Sequence, residues 1–296
     1  MTLFSGLITA LITPFKNYAI DFASLDKLIN HQIEGDIKSI VVAGSTGEAP
    51  TLSMEEYVSL VKATIESSQG KLNVIAGCSS SSTKNSVEMA VEAEKLGAAG
   101  LMCSPPPYNK PTQGGIYEHF KMIHDNTNIP IMLYAAPGRT GVDFTDDTIM
   151  SLAELPRITA IKDCGGDLER PLRIMRKLGD KVSVLSGDDP ITLSYNAQGA
   201  KGLVSPISNL FPKAIKQVQD LWANGNHAKA LELQIQLLPL YQALFSETNP
   251  IAIKYAASLL GLCEAELRLP LCPPSLSNQQ NIEIAINEIK RTLKSL

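Results

Sequence analysis

No block of like charges runs through this sequence, and its formal net charge is only −4. A nucleic-acid face is therefore not expected, and a small anionic substrate would have to be caught by a local basic group. No stretch approaches the roughly 20 apolar residues that a membrane span needs. The apolar start from Gly6 to Phe15 has no basic segment before it, meets Pro14, and carries no small-residue cleavage pattern. It reads as part of the fold and not as a secretory signal. The five cysteines (Cys78, Cys103, Cys164, Cys263 and Cys272) include no CxxC pair. Cys78, Cys103 and Cys164 lie in or just after apolar runs, where reduced, buried thiols are expected, and this fits a reducing cytoplasm. The four histidines, His31, His119, His124 and His227, lack the i, i+4 spacing of a helical metal pair. Neither a metal nor another cofactor is expected.

What is present is a chain of 296 residues, 44% hydrophobic, large enough for a core without disulfide or metal staples. Short, continuous apolar runs suit strands buried on both faces of a parallel sheet. They fall at Leu7–Thr13, Ser39–Ala43, Leu72–Ala76, Gly100–Cys103, Ile129–Tyr134, Ile158–Lys162, Val182–Leu185 and Gly202–Val204. Helical patterns separate them. Ser24–Ile33 opens with a cap residue and puts Leu25, Leu28, Ile29 and Gln32 on one side. Ser53-Met-Glu-Glu56 is a capping-box pattern leading into Tyr57, Leu60 and Val61. Asn85–Leu96 stops at Gly97, and Thr145 opens Ile149–Leu155.

Strand and helix alternate eight times, which predicts an α/β fold closed as a (β/α)₈ TIM barrel; an open doubly wound sheet is the runner-up. Beyond about Phe211 only helices follow, at Pro212–Ala223, His227–Phe245, Ile251–Leu260 and Asn281–Leu296. The expected division is a catalytic barrel over residues 1–224 and a C-terminal helical region over 225–296.

Reactive groups of such barrels gather at the C-terminal ends of the strands. There the sequence offers Gly44-Ser-Thr-Gly-Glu48, Ser104-Pro-Pro-Pro-Tyr-Asn109, Tyr134-Ala-Ala-Pro-Gly-Arg-Thr-Gly141, Lys162-Asp-Cys-Gly-Gly166, Ser186-Gly-Asp-Asp189 and Ser205-Pro-Ile-Ser208. Lys162 follows Ile158-Thr-Ala-Ile161, an alternation that points it into the barrel mouth, where a neutral amine can attack a ketone. From position alone the plainer reading is a solvated lysine ending a strand. Tyr134 ends the neighbouring strand, and its phenol would need partners such as Thr46 and Tyr108 to move protons. Either tyrosine is also readable as a packed aromatic. Gly44–Gly47 offers backbone N–H groups and two hydroxyls as a carboxylate cradle, or is a plain glycine-rich turn. Arg139 can clamp a carboxylate or stand on the surface. Asp188 and Asp189 are adjacent, so they point apart and do not form a catalytic dyad.

Taken together, these segments resemble the dihydrodipicolinate synthase/N-acetylneuraminate lyase family of pyruvate-dependent lyases. The likeness is carried by Gly44-Ser-Thr-Gly-Glu48, Tyr134 with Pro137, Ile161-Lys162, Ser186-Gly-Asp-Asp189 and Asn249-Pro-Ile-Ala-Ile-Lys254, in the family's order and spacing over nearly the whole chain. The resemblance implies that Lys162 forms a Schiff base with pyruvate and that Tyr134 moves protons. It implies that Thr46 and Tyr108 complete the relay, with Tyr108 reaching across a subunit interface. Ser45 and Thr46 would hold the pyruvate carboxylate, and the carbonyls at Gly187 and Val204 would line the site. It also implies a homotetramer built as a dimer of dimers.

Arg139 within Pro137-Gly-Arg-Thr-Gly141 is similar to the branch in which this arginine binds the carboxylate of L-aspartate 4-semialdehyde. Two other readings remain: a lyase acting on a sialic or 2-keto-3-deoxy sugar acid, and a barrel that binds a small molecule without catalysis. The sequence departs from the family's pattern at Ser45, at Pro107 and at Ala135-Ala136, where Asn-Val is usual. Positions matching the lysine-binding side chains of feedback-inhibited relatives are Met54, Tyr57, Ser81, Asn85 and Pro107. They lack the acid that would pair with a lysine ammonium, so feedback inhibition is expected to be weak.

Overall fold

In the computed structural model, which describes residues 3–294, eight parallel strands close into a barrel. The barrel strands are β1 (Gly6–Ala10), β4 (Ser39–Val42), β5 (Asn73–Gly77), β6 (Gly100–Cys103), β7 (Ile131–Ala135), β8 (Ile158–Asp163), β9 (Ser183–Ser186) and β10 (Gly202–Ser205), with β10 pairing back onto β1. A small hairpin, β2 (Phe15–Lys16) and β3 (Ala19–Ile20), follows β1. Each strand is apolar on both faces because both are covered. Ile8, Val41, Ile75, Met102, Met132, Ala160, Leu185 and Val204 fill the inside. Their neighbours Leu7, Ile40, Val74, Leu101, Leu133, Ile161, Val184 and Leu203 pack outward against the helices.

The helices between strands are α1 (Phe22–Glu34), α2 (Met54–Ser68), α3 (Thr83–Leu96), α4 (Gln113–Asn126), α5 (Pro137–Thr140), α6 (Asp146–Ala153), α7 (Arg170–Leu178) and α8 (Thr192–Ala197). The four residues expected on the inner side of α1 are its buried ones. Its cap differs from the expectation. Asp21 caps the helix, and Ser24, read as the cap, gives its amide and hydroxyl to the Asp21 carboxylate at 3.2 and 2.7 Å. The capping box at Ser53 is complete, and Gly97 ends α3 in the left-handed conformation. β1 stops at Ala10, short of the expected Thr13, because the chain leaves the ladder for the β2–β3 hairpin.

After β10 come α9 (Pro212–Ala223), α10 (His227–Phe245), α11 (Ile251–Leu259) and α12 (Leu276–Lys294). α12 starts earlier than the expected Asn281, with Ser275 Oγ accepting from the Asn278 amide at 3.4 Å. Ser295 and Leu296, the expected end of this helix, lie outside the described residues. Apolar residues of these helices, such as Leu237, Leu244, Ile253 and Ile286, join one continuous cluster with the outer layer of the barrel.

One buried ion pair ties this tail to the barrel mouth. Glu48 and Lys254, both fully buried, meet at 2.5 Å. Lys254 Nζ also donates to the Glu266 carbonyl at 2.8 Å and sits over the Phe15 ring. The other Glu48 oxygen accepts the Arg268 amide at 3.0 Å. Removing one member of a buried pair strands the other charge, at a cost of about 3–5 kcal/mol. Lys254→Met is therefore expected to lower the melting temperature sharply, and adding Glu48→Gln to recover most of the loss in the same thermal scan. Equal destabilisation by the single and double variants would contradict that account.

Candidate active site

The hydrogen-bond register between β7 and β8 puts Tyr134 directly beside Lys162. Side chains alternate along a strand, so Ala160, Lys162 and Cys164 face inward while Ile161 and Asp163 face the helices. Lys162 is 5% exposed, and its Nζ lies 4.3 Å from the centre of the Tyr134 ring. Among the described residues no carboxylate lies within ion-pair distance of it. A buried amine left without a partner is costly as structure, which makes it a chemical feature. Behind the sheet, Asp163 accepts from Arg170 at 3.2 Å and Tyr195 at 3.1 Å, fixing the end of β8.

A cavity of about 1140 Å³ opens over this pair. Thr46, Arg139, Gly187, Asp188 and Asn249 line it with Tyr134 and Lys162. A smaller cavity of about 280 Å³ shares Tyr134, Arg139 and Asn249 and is bordered by Ser45, Ser79 and Pro107. The loop after β4 is strained: Ala43 and Glu48 both adopt left-handed backbone, with φ of 53° and 52°. Gly77 makes this possible, because a Cβ there would lie 2.2 Å from the Ala43 carbonyl oxygen. Within the loop the amides of Ser45 and Thr46 find no acceptor among the described residues. Two free N–H groups beside two hydroxyls make a carboxylate cradle. Thr46 Oγ1 accepts from Asn249 Nδ2 at 2.8 Å, so its own proton remains available to donate. Arg139 is exposed at the rim and donates from Nη2 to the Asn249 carbonyl at 2.9 Å.

Gly187 is required by space. A Cβ there would meet Cys164 Sγ at 2.2 Å and Lys162 Cε at 2.8 Å. Of the two acids that follow, Asp188 lines the large cavity, while Asp189 turns away and is fully buried. Ser205 Oγ donates to Asp189 Oδ1, yet burial still pushes that carboxyl up to about 7. Burial also raises the Cys164 thiol.

A model of the Dihydrodipicolinate synthetase family matches residues 3–289. The chain belongs to that family. It is 49% identical over 287 residues to a 4-hydroxy-tetrahydrodipicolinate synthase of Rickettsia typhi, covering 97% of this chain and 98% of the relative. Among solved structures, the 4-hydroxy-tetrahydrodipicolinate synthase from Methylacidiphilum fumariolicum SolV superposes with a TM-score of 0.96 at 40% identity, over 98% of this chain and 97% of that one. The Cyanidioschyzon merolae protein of the family, solved with lysine bound, superposes at 0.94 with 36% identity, over 97% of this chain and 99% of that one.

Seen as a family member, the chain brings together Lys162, Tyr134, Thr46, Arg139 and Gly187 around the large cavity, with Ser45 on the smaller one. Two residues named from the sequence stand apart. Tyr108 is 91% exposed and borders neither cavity. Val204 packs its side chain inside the barrel and also borders neither. Sequence reasoning assigned no role to Asn249, Glu48 or Lys254, although all three lie in motifs that carried the resemblance. It also missed the rim from Phe245 to Thr248, which reads as helix and loop with no chemical signature. Gly187→Ala is expected to keep the fold and lose turnover by about a hundredfold, because its methyl must push aside the Lys162 side chain and the Cys164 sulfur. Near-normal turnover, measured beside an unchanged melting curve, would show that Lys162 tolerates the shift.

Proposed function

We propose that this chain condenses pyruvate with L-aspartate 4-semialdehyde to 4-hydroxy-tetrahydrodipicolinate through a Schiff base on Lys162. The observation that carries the reading is the buried, unpaired Lys162 amine beside the Tyr134 ring at the mouth of the large cavity. Residues 1–224 supply the reacting groups, and the helical region over 225–296 contributes the far rim and Asn249. Pyruvate lodges its carboxylate on the Ser45 and Thr46 amides and hydroxyls. Lys162 attacks its ketone, Tyr134 and Thr46 relay the protons, and water leaves. The iminium loses a methyl proton to the Tyr134–Thr46 relay to give an enamine, which attacks the aldehyde of the second substrate as the relay returns a proton to the aldehyde oxygen. Arg139 holds that substrate's carboxylate. Its amine then closes the ring at the iminium carbon and releases Lys162. The Gly187 carbonyl completes the lining.

Tyr108 enters this scheme from a second copy. Its exposed phenol on a left-handed residue, φ 70°, suits a group offered outward to a neighbouring subunit. A homotetramer, as a dimer of dimers, is the assembly we propose. The cytoplasm is the proposed location, in keeping with five free cysteines. Among the described residues no helix is long and apolar enough to cross a membrane. Arg139 favours the semialdehyde over sialic or keto-deoxy sugar acids, because a guanidinium at the rim matches a second carboxylate. Feedback by lysine is weak in this reading: Tyr57 is buried with its hydroxyl donated to the Met89 carbonyl at 3.2 Å.

The test is a coupled assay with pyruvate, L-aspartate 4-semialdehyde, excess dihydrodipicolinate reductase and NADPH. Turnover that needs both substrates and holds in submillimolar lysine is expected. Arg139→Ala should raise the KM of the semialdehyde by about a hundredfold and leave that of pyruvate nearly unchanged. Equal effects on both substrates would remove Arg139 from the second-substrate site. No turnover from folded protein would remove the synthase reading itself.

A further inference from the structure

L-Aspartate 4-semialdehyde carries an ammonium and a carboxylate on one carbon, with the aldehyde one methylene away. Arg139 answers the carboxylate, but the ammonium also needs a partner. Four charged side chains line the large cavity: Arg139, Lys162, Asp188 and Glu247. Glu247 is already engaged, its Oε1 accepting from the Ser275 amide at 3.1 Å and hydroxyl at 2.7 Å. The Asp188 carboxylate has no hydrogen-bond or ion-pair partner among the described residues.

Its backbone, by contrast, is held firmly. The Asp188 amide donates to Ser186 Oγ at 3.2 Å, and that hydroxyl donates back to the Asp188 carbonyl at 2.9 Å. Asp188 directly follows Gly187, whose missing side chain leaves room for Lys162. Burial chiefly raises the inward-facing Cys164 thiol, and the Asp188 charge adds to that rise. The site therefore places an unpaired carboxylate on the same cavity as the reacting amine, opposite in sign to Arg139 at the rim.

We propose that Asp188 binds the ammonium of the second substrate, a role that rests on the condensation proposed above. Burial alone raises the Asp188 carboxyl, with no neighbouring donor or cation to oppose it. An incoming ammonium restores what that burial costs the charged form. Asp188 then makes the cavity selective for an α-amino semialdehyde over the same chain without its amine.

The experiment compares L-aspartate 4-semialdehyde with succinate semialdehyde, which keeps the aldehyde and carboxylate but lacks the amine and cannot close the ring. KM and kcat are measured for the first, and the inhibition constant against pyruvate-loaded enzyme for the second. Asp188→Asn is expected to lower kcat/KM for the amino substrate about ten- to a hundredfold, as loss of a charge-assisted hydrogen bond does. The pyruvate KM and the succinate semialdehyde constant should stay within about twofold, and Asp188→Glu should recover part of the loss. Equal weakening of both semialdehydes would make Asp188 a wall of the cavity and overturn the proposal. So would no change in either. A wild-type protein that turns over neither semialdehyde with pyruvate would sink the underlying reading as well, an outcome separate from any behaviour of the variants.

Discussion

Everything at the barrel mouth depends on the backbone pairing of β7 with β8. That ladder sets Tyr134 beside Lys162, and closure of the barrel keeps both strands from sliding. A slip of one residue would send Lys162 outward among the helices and bring Asp163 inside. The inner layer resists such a slip. Ala160 below Lys162 and Met132 below Tyr134 are packed within one apolar cluster, and turning either outward would empty it. The Lys162–Tyr134 pair thus inherits its precision from the apolar core beneath it.

A second constraint holds the opposite wall. The loop after β4 stores strain at Ala43 and Glu48, and the surrounding contacts keep it from relaxing. Thr13 Oγ1 donates to the Gly47 carbonyl at 2.7 Å, and the Glu48–Lys254 pair anchors the loop's end. Because Lys254 and Asn249 share one segment, the same tail that pins Glu48 also delivers a hydrogen bond to Thr46. The C-terminal helices therefore belong to the site's geometry as much as to the outer packing. Dissolving that anchor would loosen Thr46 without touching Lys162.

Much of this could be read from the residues in order. Continuous apolar runs marked buried parallel strands, and the alternation through Ile158–Ile161 pointed Lys162 inward. Adjacency alone had Asp188 and Asp189 pointing apart, and one lines the cavity while the other is buried. What escaped was whatever depends on contacts between distant segments. Asn249 and Thr46 are 203 residues apart, and nothing local to either announces the bond. The left-handed backbone at Ala43 and Glu48 was equally hidden, since neither residue type favours it. Strand ends moved by up to three residues where hydrogen bonding, not hydropathy, sets the limit. Tyr108 could be picked from the sequence, yet one chain leaves it facing outward.

The central claim is that Lys162 bonds covalently to pyruvate. Incubating the protein with pyruvate and borohydride, then mapping the reduced adduct by peptide mass spectrometry, tests it most directly. The account predicts a single pyruvate-derived mass increase on the peptide carrying Lys162, with parallel loss of activity. An adduct on another lysine, or full activity after reduction with no adduct at all, would contradict it.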